Sequence, residues 1–380
     1  MTDRGARRWA HGHPWIYRTD VRREPEHRTA GIVPVVSVRD RFLGHALYSP
    51  RSEIRLRLLT NSRDAPDQMW WTARLREALA RRDGVDATAC RIVHAEGDRL
   101  PSLIVDRYGT IVVAQLLSAG LEAVRGQVLD AIRDVLAPSG LLLRHDARVR
   151  EHEGLPQGVE LAFGNVPDTV DVTEHGVHYR AAPWTGQKTG AFLDQRENRR
   201  LAGSRARGRV LDLFAYQGAF ALHLARGAEQ VVAVDQSGEA LRRGREHAAL
   251  NRLSNVEWIE ANAFDYLRSL ERGHERFDVI VLDPPAFAKT KDRVPRALAG
   301  YKEINLRAMK LLSAGGSLLT FSCSFHVGRD RFLAMAADAA GDARRQLLLE
   351  QVLGQAGDHP EVLTIPETGY LKGLLLRAMD

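Results

Sequence analysis

The feature of this 380-residue sequence that most constrains its fold is a regular alternation of apolar runs and amphipathic segments beginning at Val210. Strand-like and helix-like segments alternate at residues 210–214, 219–226, 230–234, 239–251 and 256–260, followed by a strand at 277–282, a helix at 304–312 and a strand at 318–323. Such alternation predicts an α/β domain, in which a parallel sheet carries helices on both faces.

The N-terminal part has a different pattern. Short β-rich runs at residues 32–38, 43–48 and 54–60, broken by Gly, Pro and Asp, predict a small barrel or sandwich. A helix that starts at Pro66 should connect it to a middle α+β unit, and the Gly-rich stretch around Pro183 is the best candidate for a linker. We therefore expect domains at residues 1–65, 66–185 and 186–380.

The excess positive charge lies near the N-terminus. Residues 1–60 hold 12 Arg against 6 Asp and Glu, an excess that equals the net charge of +6 of the whole chain. A cationic face suits a polyanion, so we expect RNA as a partner and Arg7 and Arg8 among its contacts. The alternative is a solvated surface, because the sequence favours Arg throughout, with 48 Arg and 6 Lys.

The chain shows no sign of membrane association. No stretch approaches the roughly 18 apolar residues of a membrane span, and the first ten residues lack the apolar core of a signal peptide. We expect a cytoplasmic protein, either monomer or homodimer. The His and Cys spacing predicts no metal site.

The turn after the strand at 210–214 predicts a cofactor site. The turn contains one glycine, Gly218, and the next strand ends on Asp235, 23 residues after Asp212. An acid in that position can bind ribose hydroxyls, but a dinucleotide site would need three glycines so that the pyrophosphate could approach the backbone. A nucleoside without phosphate, such as S-adenosylmethionine, fits better. A purely structural turn is the alternative.

Two further strands end on residues that could carry chemistry. The strand at 277–282 leads into Asp283, and the strand at 318–323 ends on Cys323. Because ligands of open α/β sheets bind beyond the carboxyl ends of the strands, this thiol and this carboxylate could converge on one substrate. A small core residue is the alternative for Cys323.

Short motifs stand in a fixed order along the chain. They are Gly-His-Pro-Trp-Ile at 12–16, Leu-Ile-Val-Asp-Arg-Tyr-Gly at 103–109, Gln-Lys-Thr-Gly at 187–190, Asp-Gln-Arg-Glu-Asn at 194–198, the turn at 212–220, Asp-Pro-Pro-Ala-Phe at 283–287, Gly-Tyr-Lys-Glu-Ile-Asn at 300–305 and Phe-Ser-Cys-Ser at 321–324. This set resembles the bacterial large-subunit rRNA cytosine-5 methyltransferases nearly end to end. The resemblance implies an N-terminal β-rich PUA domain, a central α+β domain and a C-terminal class I (Rossmann-like) methyltransferase domain.

The resemblance also implies roles for individual residues. The cofactor-binding set comprises Lys188, Gln195, Asp212, Phe214, Tyr216, Gly218, Asp235, Asn262 and Asp283, with the 212–218 turn at the methionine part, Asp235 at the ribose and Asn262 near the adenine. The family usually has Asp where Asn262 stands, so this contact lacks the carboxylate charge.

The same family implies a covalent mechanism. Cys323 would be the nucleophile that adds to C6 of cytosine, and Asp283 would bind or protonate the ring at N3. Many RNA cytosine-5 enzymes have a second Cys just after this Asp, where this chain has Pro284 and Pro285, so a single-cysteine mechanism is implied and the base that removes the C5 proton is unidentified.

Two loop residues are candidates for substrate binding. Phe287 could stack on a flipped base or pack its loop, and Lys289 could hold RNA phosphates or be solvated. Two other functions stay open. An exocyclic-amino methyltransferase would use Asp283 but leave Cys323 without a task, and a non-catalytic RNA-binding assembly factor would need neither.

Overall fold

The computed structural model describes residues 1–288 and 290–379. It contains two compact units that are interleaved along the chain. The first unit comprises Met1–Glu174, Arg180–Leu193 and Gly357–Thr368, and the second comprises His175–Tyr179, Asp194–Ala356 and Gly369–Asp380. No helix in the described ranges is long and apolar enough to cross a membrane.

The N-terminal part of the first unit is a four-stranded antiparallel sheet with one helix. Its elements are α1 Asp3–Ala10, β1 Trp15–Tyr17, β2 Gly31–Val36, β3 Phe42–Tyr48 and β4 Ile54–Thr60, in the sheet order β1-β4-β3-β2. The sequence did not predict α1, whose first turn is capped by the Thr2 hydroxyl. Trp9 of this helix packs with Ile16 and Tyr48 in a small apolar core.

The remainder of the first unit is an α+β layer. Its elements are α2 Gln68–Ala80, β5 Ala89–His94, β6 Leu103–Tyr108, β7 Ile111–Leu116, α3 Ala119–Glu122, α4 Arg125–Leu136, β8 Gly140–Arg144, α5 Val149–Glu153 and β9 Val159–Gly164, followed by β10 Val170–Glu174. Strand β11, Val177–Ala181, begins in a stretch that belongs to the second unit. Strands β5 to β9 form a sheet in chain order, and Cys90 lies in its core.

Strand β6 ends later than its local sequence predicts. The run Asp-Arg-Tyr-Gly at 106–109 is typical of a turn, but β6 continues to Tyr108 and buries Asp106 completely. The Asp106 carboxylate accepts two hydrogen bonds from Arg91, at 2.8 Å each, and one from the Thr189 hydroxyl at 2.6 Å. A buried carboxylate needs such partners, and here they come from residues distant in sequence.

The second unit is the predicted α/β domain. Its elements are α6 Arg196–Arg205, β12 Arg209–Leu213, α7 Ala219–Ala225, β13 Gln230–Asp235, α8 Gly238–Leu250, β14 Val256–Glu260, α9 Ala263–Arg272, β15 Phe277–Leu282, α10 Val294–Leu311, β16 Leu312–Ser322, α11 Arg329–Ala343, β17 Leu347–Leu353 and β18 Lys372–Ala378. The seven strands have the order β14-β13-β12-β15-β16-β18-β17.

This strand order determines where the site can lie. Strands β12 to β16 are mutually parallel, while β18 runs antiparallel between β16 and β17. The strand order reverses beside β12, and an open α/β sheet binds its ligand at the carboxyl edge near such a reversal. The side chains that follow β12, β13, β15 and β16 therefore share one crevice.

Candidate cofactor and catalytic site

The turn after β12 has an unusual backbone. Phe214, Tyr216 and Gly218 all have positive φ, at 66°, 51° and 79°. A Cβ on Gly218 would lie 2.3 Å from the Trp258 ring, so no larger residue fits there. Left-handed conformations at non-glycine residues cost free energy and concentrate at functional sites. The predicted cofactor turn is thus a tight loop directly before α7.

Asp212 lies under this turn at 1% exposure. It accepts a hydrogen bond from the backbone N–H of Ala221 in the first turn of α7, whereas its Oδ2 has no partner among the described residues. Burial raises its pKa well above the ordinary value, and the charges of Asp283 and Asp235 raise it further. Three carboxyl groups from three strands thus share one region, and a cationic ligand would relieve their repulsion.

Asp235 ends β13 with its carboxylate half-exposed. Its Oδ2 accepts a hydrogen bond from the Tyr216 backbone N–H and its Oδ1 accepts one from the Ser237 N–H, both at 2.9 Å. Each carboxylate oxygen has a second lone pair that can accept from a ribose hydroxyl. Asp235 therefore fixes the cofactor turn and can bind a sugar with the same group.

Asn262 follows β14 and is exposed. Its Oδ1 caps α9 by accepting hydrogen bonds from the N–H groups of Phe264 at 3.0 Å and Asp265 at 3.4 Å. The resemblance to the family predicted that Asn262 lies near the adenine, where this oxygen could accept from the amino group. Since the cap uses both of its lone pairs, the structure favours a structural role for the Asn262 carbonyl.

Asp283 and Cys323 follow neighbouring parallel strands. Leu282 of β15 pairs with Thr320 of β16, so the acid and the thiol leave the same edge of the sheet. The Cys323 Sγ lies 3.9 Å from the carbonyl oxygen of Pro284, the residue after Asp283. Cys323 is partly exposed, unlike the fully buried Cys90, and neither cysteine forms a disulfide within the described chain.

Gln195 holds the Asp283 carboxylate. Its Nε2 donates to Asp283 Oδ1 at 2.9 Å, and its own Oε1 accepts from Asn198 Nδ2 at 2.6 Å. Asn198 in turn donates to the Gly354 carbonyl at 2.9 Å. This chain of amides orients Asp283, so the structure brings Gln195 to the carboxylate that the sequence predicted to act on the substrate.

Ser324, for which the sequence predicted no role, fixes the segment after Cys323. Its hydroxyl pairs with the Tyr301 hydroxyl at 2.9 Å and accepts from the Ala288 N–H at 3.2 Å. Its carbonyl accepts from the Lys372 ammonium at 2.7 Å. Two features of the sequence pointed to this network: Tyr301 lies in the motif at 300–305, and Lys372 is one of only 6 Lys in a chain with 48 Arg.

The other predicted substrate residues lie apart from this centre or in packed positions. Phe287 is half-buried, with its ring 4.6 Å from that of Tyr301 and 6.0 Å from that of Phe264, which favours the packing alternative. Lys289 is outside the described residues.

Three predicted residues belong to the first unit. The Lys188 ammonium lies 4.7 Å from the centre of the Phe192 ring, and Lys188 itself is exposed. Arg7 is exposed on α1, and the Arg8 guanidinium lies 4.7 Å above the Tyr17 ring.

Fold and site together define a class I methyltransferase domain, with a tight glycine-containing loop, an acid ending the second strand and a crevice suited to a cationic nucleoside. Comparisons with known proteins agree. A family model described as S-adenosylmethionine-dependent methyltransferase matches residues 123–377, and a PUA-like domain model matches residues 1–61.

The relatives narrow this class further. The chain is 41% identical to the ribosomal RNA large subunit methyltransferase I of Klebsiella pneumoniae (strain 342), with 97% of this chain and 94% of that protein covered. It is 39% identical to the protein of the same name from Shigella boydii serotype 18 (strain CDC 3083-94 / BS512), with 97% and 96% covered. The chain therefore belongs to the ribosomal RNA large subunit methyltransferase I family.

A solved structure agrees with the fold. The crystal structure of SMU.776 complexed with SAH superimposes with a TM-score of 0.85 at 21% identity, covering 99% of this chain and 98% of that one. The predictions of the α/β class, the PUA-like domain and S-adenosylmethionine as cofactor are thus confirmed.

Proposed function

We propose that this protein methylates C5 of a cytosine in large-subunit rRNA, with Cys323 as nucleophile and Asp283 as the group that acts on the ring nitrogen. The main observation in support of the proposal is the contact between the Cys323 sulfur and the Pro284 carbonyl oxygen, which are 3.9 Å apart. This contact lies where the carboxyl ends of β15 and β16 meet. The names of the relatives support the rRNA substrate.

The need for a nucleophile follows from the substrate. C5 of cytosine is too weak a nucleophile to attack a sulfonium methyl group directly. When the Cys323 thiolate forms a bond to C6, the electron pair of the C5–C6 double bond moves toward C5 and N3, and C5 becomes an enamine carbon. After C5 has gained the methyl group, loss of the C5 proton to a base restores the double bond and expels the thiolate.

Asp283 would act where charge develops in this sequence. Addition of the thiolate places negative charge on N3, which a hydrogen bond or proton from the Asp283 carboxyl would stabilise. The 2.9 Å bond from Gln195 fixes one oxygen of that carboxyl. Gln195 would therefore position Asp283 for its contact with the cytosine ring, whereas the sequence motif predicted that Gln195 binds the cofactor.

The cofactor would be held by residues of the second unit. Three features fit the methionine and ribose parts of the molecule: the Asp212 Oδ2, which has no partner among residues 1–288 and 290–379, the strained turn from Phe214 to Gly218, and the Asp235 carboxylate. When bound, S-adenosylmethionine supplies an electrophilic methyl group. Lys188 stays a candidate from the motif alone.

The PUA-like segment would supply affinity for RNA. We propose the division into residues 1–65, 66–185 and 186–380 as the functional organisation, with the arginines of the first part on phosphates. This charge-based contact positions the RNA and carries no sequence information.

The reaction can be tested by the fate of the C5 hydrogen. Large-subunit rRNA from a strain that lacks the gene, labelled with tritium at C5 of cytosine, should release tritium into water when incubated with the protein and S-adenosylmethionine. Methylation of the exocyclic amino group would transfer a methyl group without tritium release. Absence of any methyl transfer to this rRNA would favour the assembly-factor alternative.

The covalent step has a separate test. RNA containing 5-fluorocytosine should remain attached to the protein under denaturing conditions, because fluorine cannot leave as the C5 proton does. The complex should form with the wild type and not with Cys323→Ala. A denaturant-resistant complex with the alanine variant would assign the bond to another residue.

A further inference from the structure

Phe325 is the single exposed Phe, Tyr or Trp side chain in the described residues, with 57% of its surface accessible. It lies two residues after Cys323 at the carboxyl edge of the sheet. The backbone N–H of Val327 bonds to the Ser324 carbonyl at 3.1 Å, which makes Ser324 to Val327 a tight turn with Phe325 at its tip. We refer to these four residues as the stacking turn.

The stacking turn is held in place by hydrogen bonds to Ser324 and by a ring contact between His326 and Phe325. Ser324 at its start is fixed by Tyr301, Ala288 and Lys372. The His326 ring meets the Phe325 ring edge to face, with 5.3 Å between centres and 81° between planes. An apolar ring exposed on a rigid turn has little conformational entropy to lose when a ligand covers it.

The segment near the turn carries two cations, Lys291 and Arg293, and one carboxylate, Asp292. The hydroxyl of Thr290 lowers the pKa of Asp292, and Arg293 and His326 lower it further, so His326 lies near the residues that directly precede α10. Lys291 and Arg293 are both exposed. Aromatic rings beside cations are the usual combination for binding single-stranded nucleic acid.

We propose that the stacking turn binds an unpaired RNA base on the Phe325 ring, with Lys291 and Arg293 on the adjoining phosphates. The proposal rests on the RNA substrate of the proposed function and adds the surface that receives a base beside the nucleophile. Phe325 would thus stack on the base, a role that the sequence suggested for Phe287, whose ring packs against Tyr301 instead.

The test is binding of a fluorescein-labelled single-stranded oligoribonucleotide to the full chain, followed by anisotropy over a range of salt concentrations. Phe325→Ala should weaken binding about tenfold at every salt concentration, because stacking releases no counterions. Phe325→Trp should bind as well as wild type or better. Lys291→Ala with Arg293→Ala should instead reduce the salt slope.

Leu250→Ala is the matched control, since Leu250 is 41% exposed at the end of α8, on the opposite edge of the sheet. It should bind like wild type. Wild-type affinity in Phe325→Ala, or equal weakening in the tryptophan variant, would overturn the proposal. Tritium release measured on the same proteins separates this result from the proposed reaction, because a stacking surface can exist whichever atom is methylated.

Discussion

The sulfur of Cys323 lies 3.9 Å from the carbonyl oxygen of Pro284, although the two residues are 39 positions apart in the chain. The contact exists because β15 and β16 are adjacent and parallel, so their carboxyl ends meet. It places the thiol against the residue that directly follows Asp283, whose carboxylate Gln195 orients. The predictions below start from this pairing.

Cys323→Ala should abolish methyl transfer while the affinity for S-adenosylmethionine, measured by calorimetry, stays near that of wild type. The physical reason is that the thiol acts on the base and not on the cofactor. Cys90→Ala serves as the control and should retain activity in proportion to its folded fraction, since Cys90 lies in a core. Transfer by Cys323→Ala within about tenfold of wild type, a barrier change of only roughly 1.4 kcal/mol, would argue against covalent catalysis.

Asp235→Ala should weaken cofactor binding at least about tenfold. The carboxylate would make charge-assisted hydrogen bonds to the ribose worth roughly 1.5 to 3 kcal/mol each, and it also holds the Tyr216 N–H. Glu239→Gln is the control, because Glu239 is an exposed acid at the start of the next helix. Calorimetry showing unchanged affinity in a folded Asp235→Ala protein would remove Asp235 from the cofactor site.

Asp212→Asn should stabilise the cofactor-free protein at neutral pH. The folded-state pKa of Asp212 is raised above its ordinary 3.8, so the folded state binds this proton more tightly than the unfolded chain does. Wild type therefore loses stability as pH rises from about 4 through the raised pKa, and the uncharged amide does not.

The measurement is Tm by calorimetry at pH 5 and pH 8. The Asn variant should exceed wild type by at least about 2 °C at pH 8 and by less at pH 5. Added S-adenosylhomocysteine should raise the Tm of wild type more than that of the variant, since the carboxylate would bind the ligand's ammonium. A variant less stable than wild type at pH 8 would mean that the charged Asp212 carboxylate has a stabilising partner in the folded protein besides the Ala221 N–H.

Neutralising Arg7, Arg8, Arg22 and Arg23 should weaken rRNA binding and flatten its dependence on salt. No ion pair involves these four in the described part of the chain, whereas Arg4 pairs with Asp20 at 2.7 Å and Arg18 with Glu53 at 3.1 Å. The slope of log affinity against log salt should fall by up to roughly 0.7 per lost contact to a single strand.

The control for this experiment is the double variant Arg4→Ala with Arg18→Ala, which removes two paired charges and should change the slope less. Cofactor affinity should stay constant in both proteins. A wild-type slope in the fourfold variant would mean that the N-terminal arginines are a solvated surface.

The sequence by itself determined the elements whose signal is local. Strands β14 and β15 lie at the predicted residues, β12 is shifted by one residue and β13 extends one residue further, because buried strands are short apolar runs bounded by turns. The alternation of these elements was enough to predict the parallel sheet. The ordered motifs indicated the family, which the relatives confirm.

Elements with a weaker local signal were missed. Helices α6 and α9 were not predicted, since α6 is rich in Arg and its burial of Arg196 and Arg199 depends on tertiary partners. The residues of β18 are apolar, but their place between β16 and β17 follows from the pairing of distant strands. Local propensity is a weak prior that tertiary contacts override.

Only the tertiary structure decided which side chains act together. The sequence singled out Asp283 and Cys323 as strand ends, but the Gln195 bond to Asp283 and the support of Ser324 by Tyr301 and Lys372 join residues from separate elements. It also separated Phe325, exposed at a turn tip, from Phe287, which packs against Tyr301. Exposure and long-range hydrogen bonding depend on strand order and register, which no local stretch of sequence encodes.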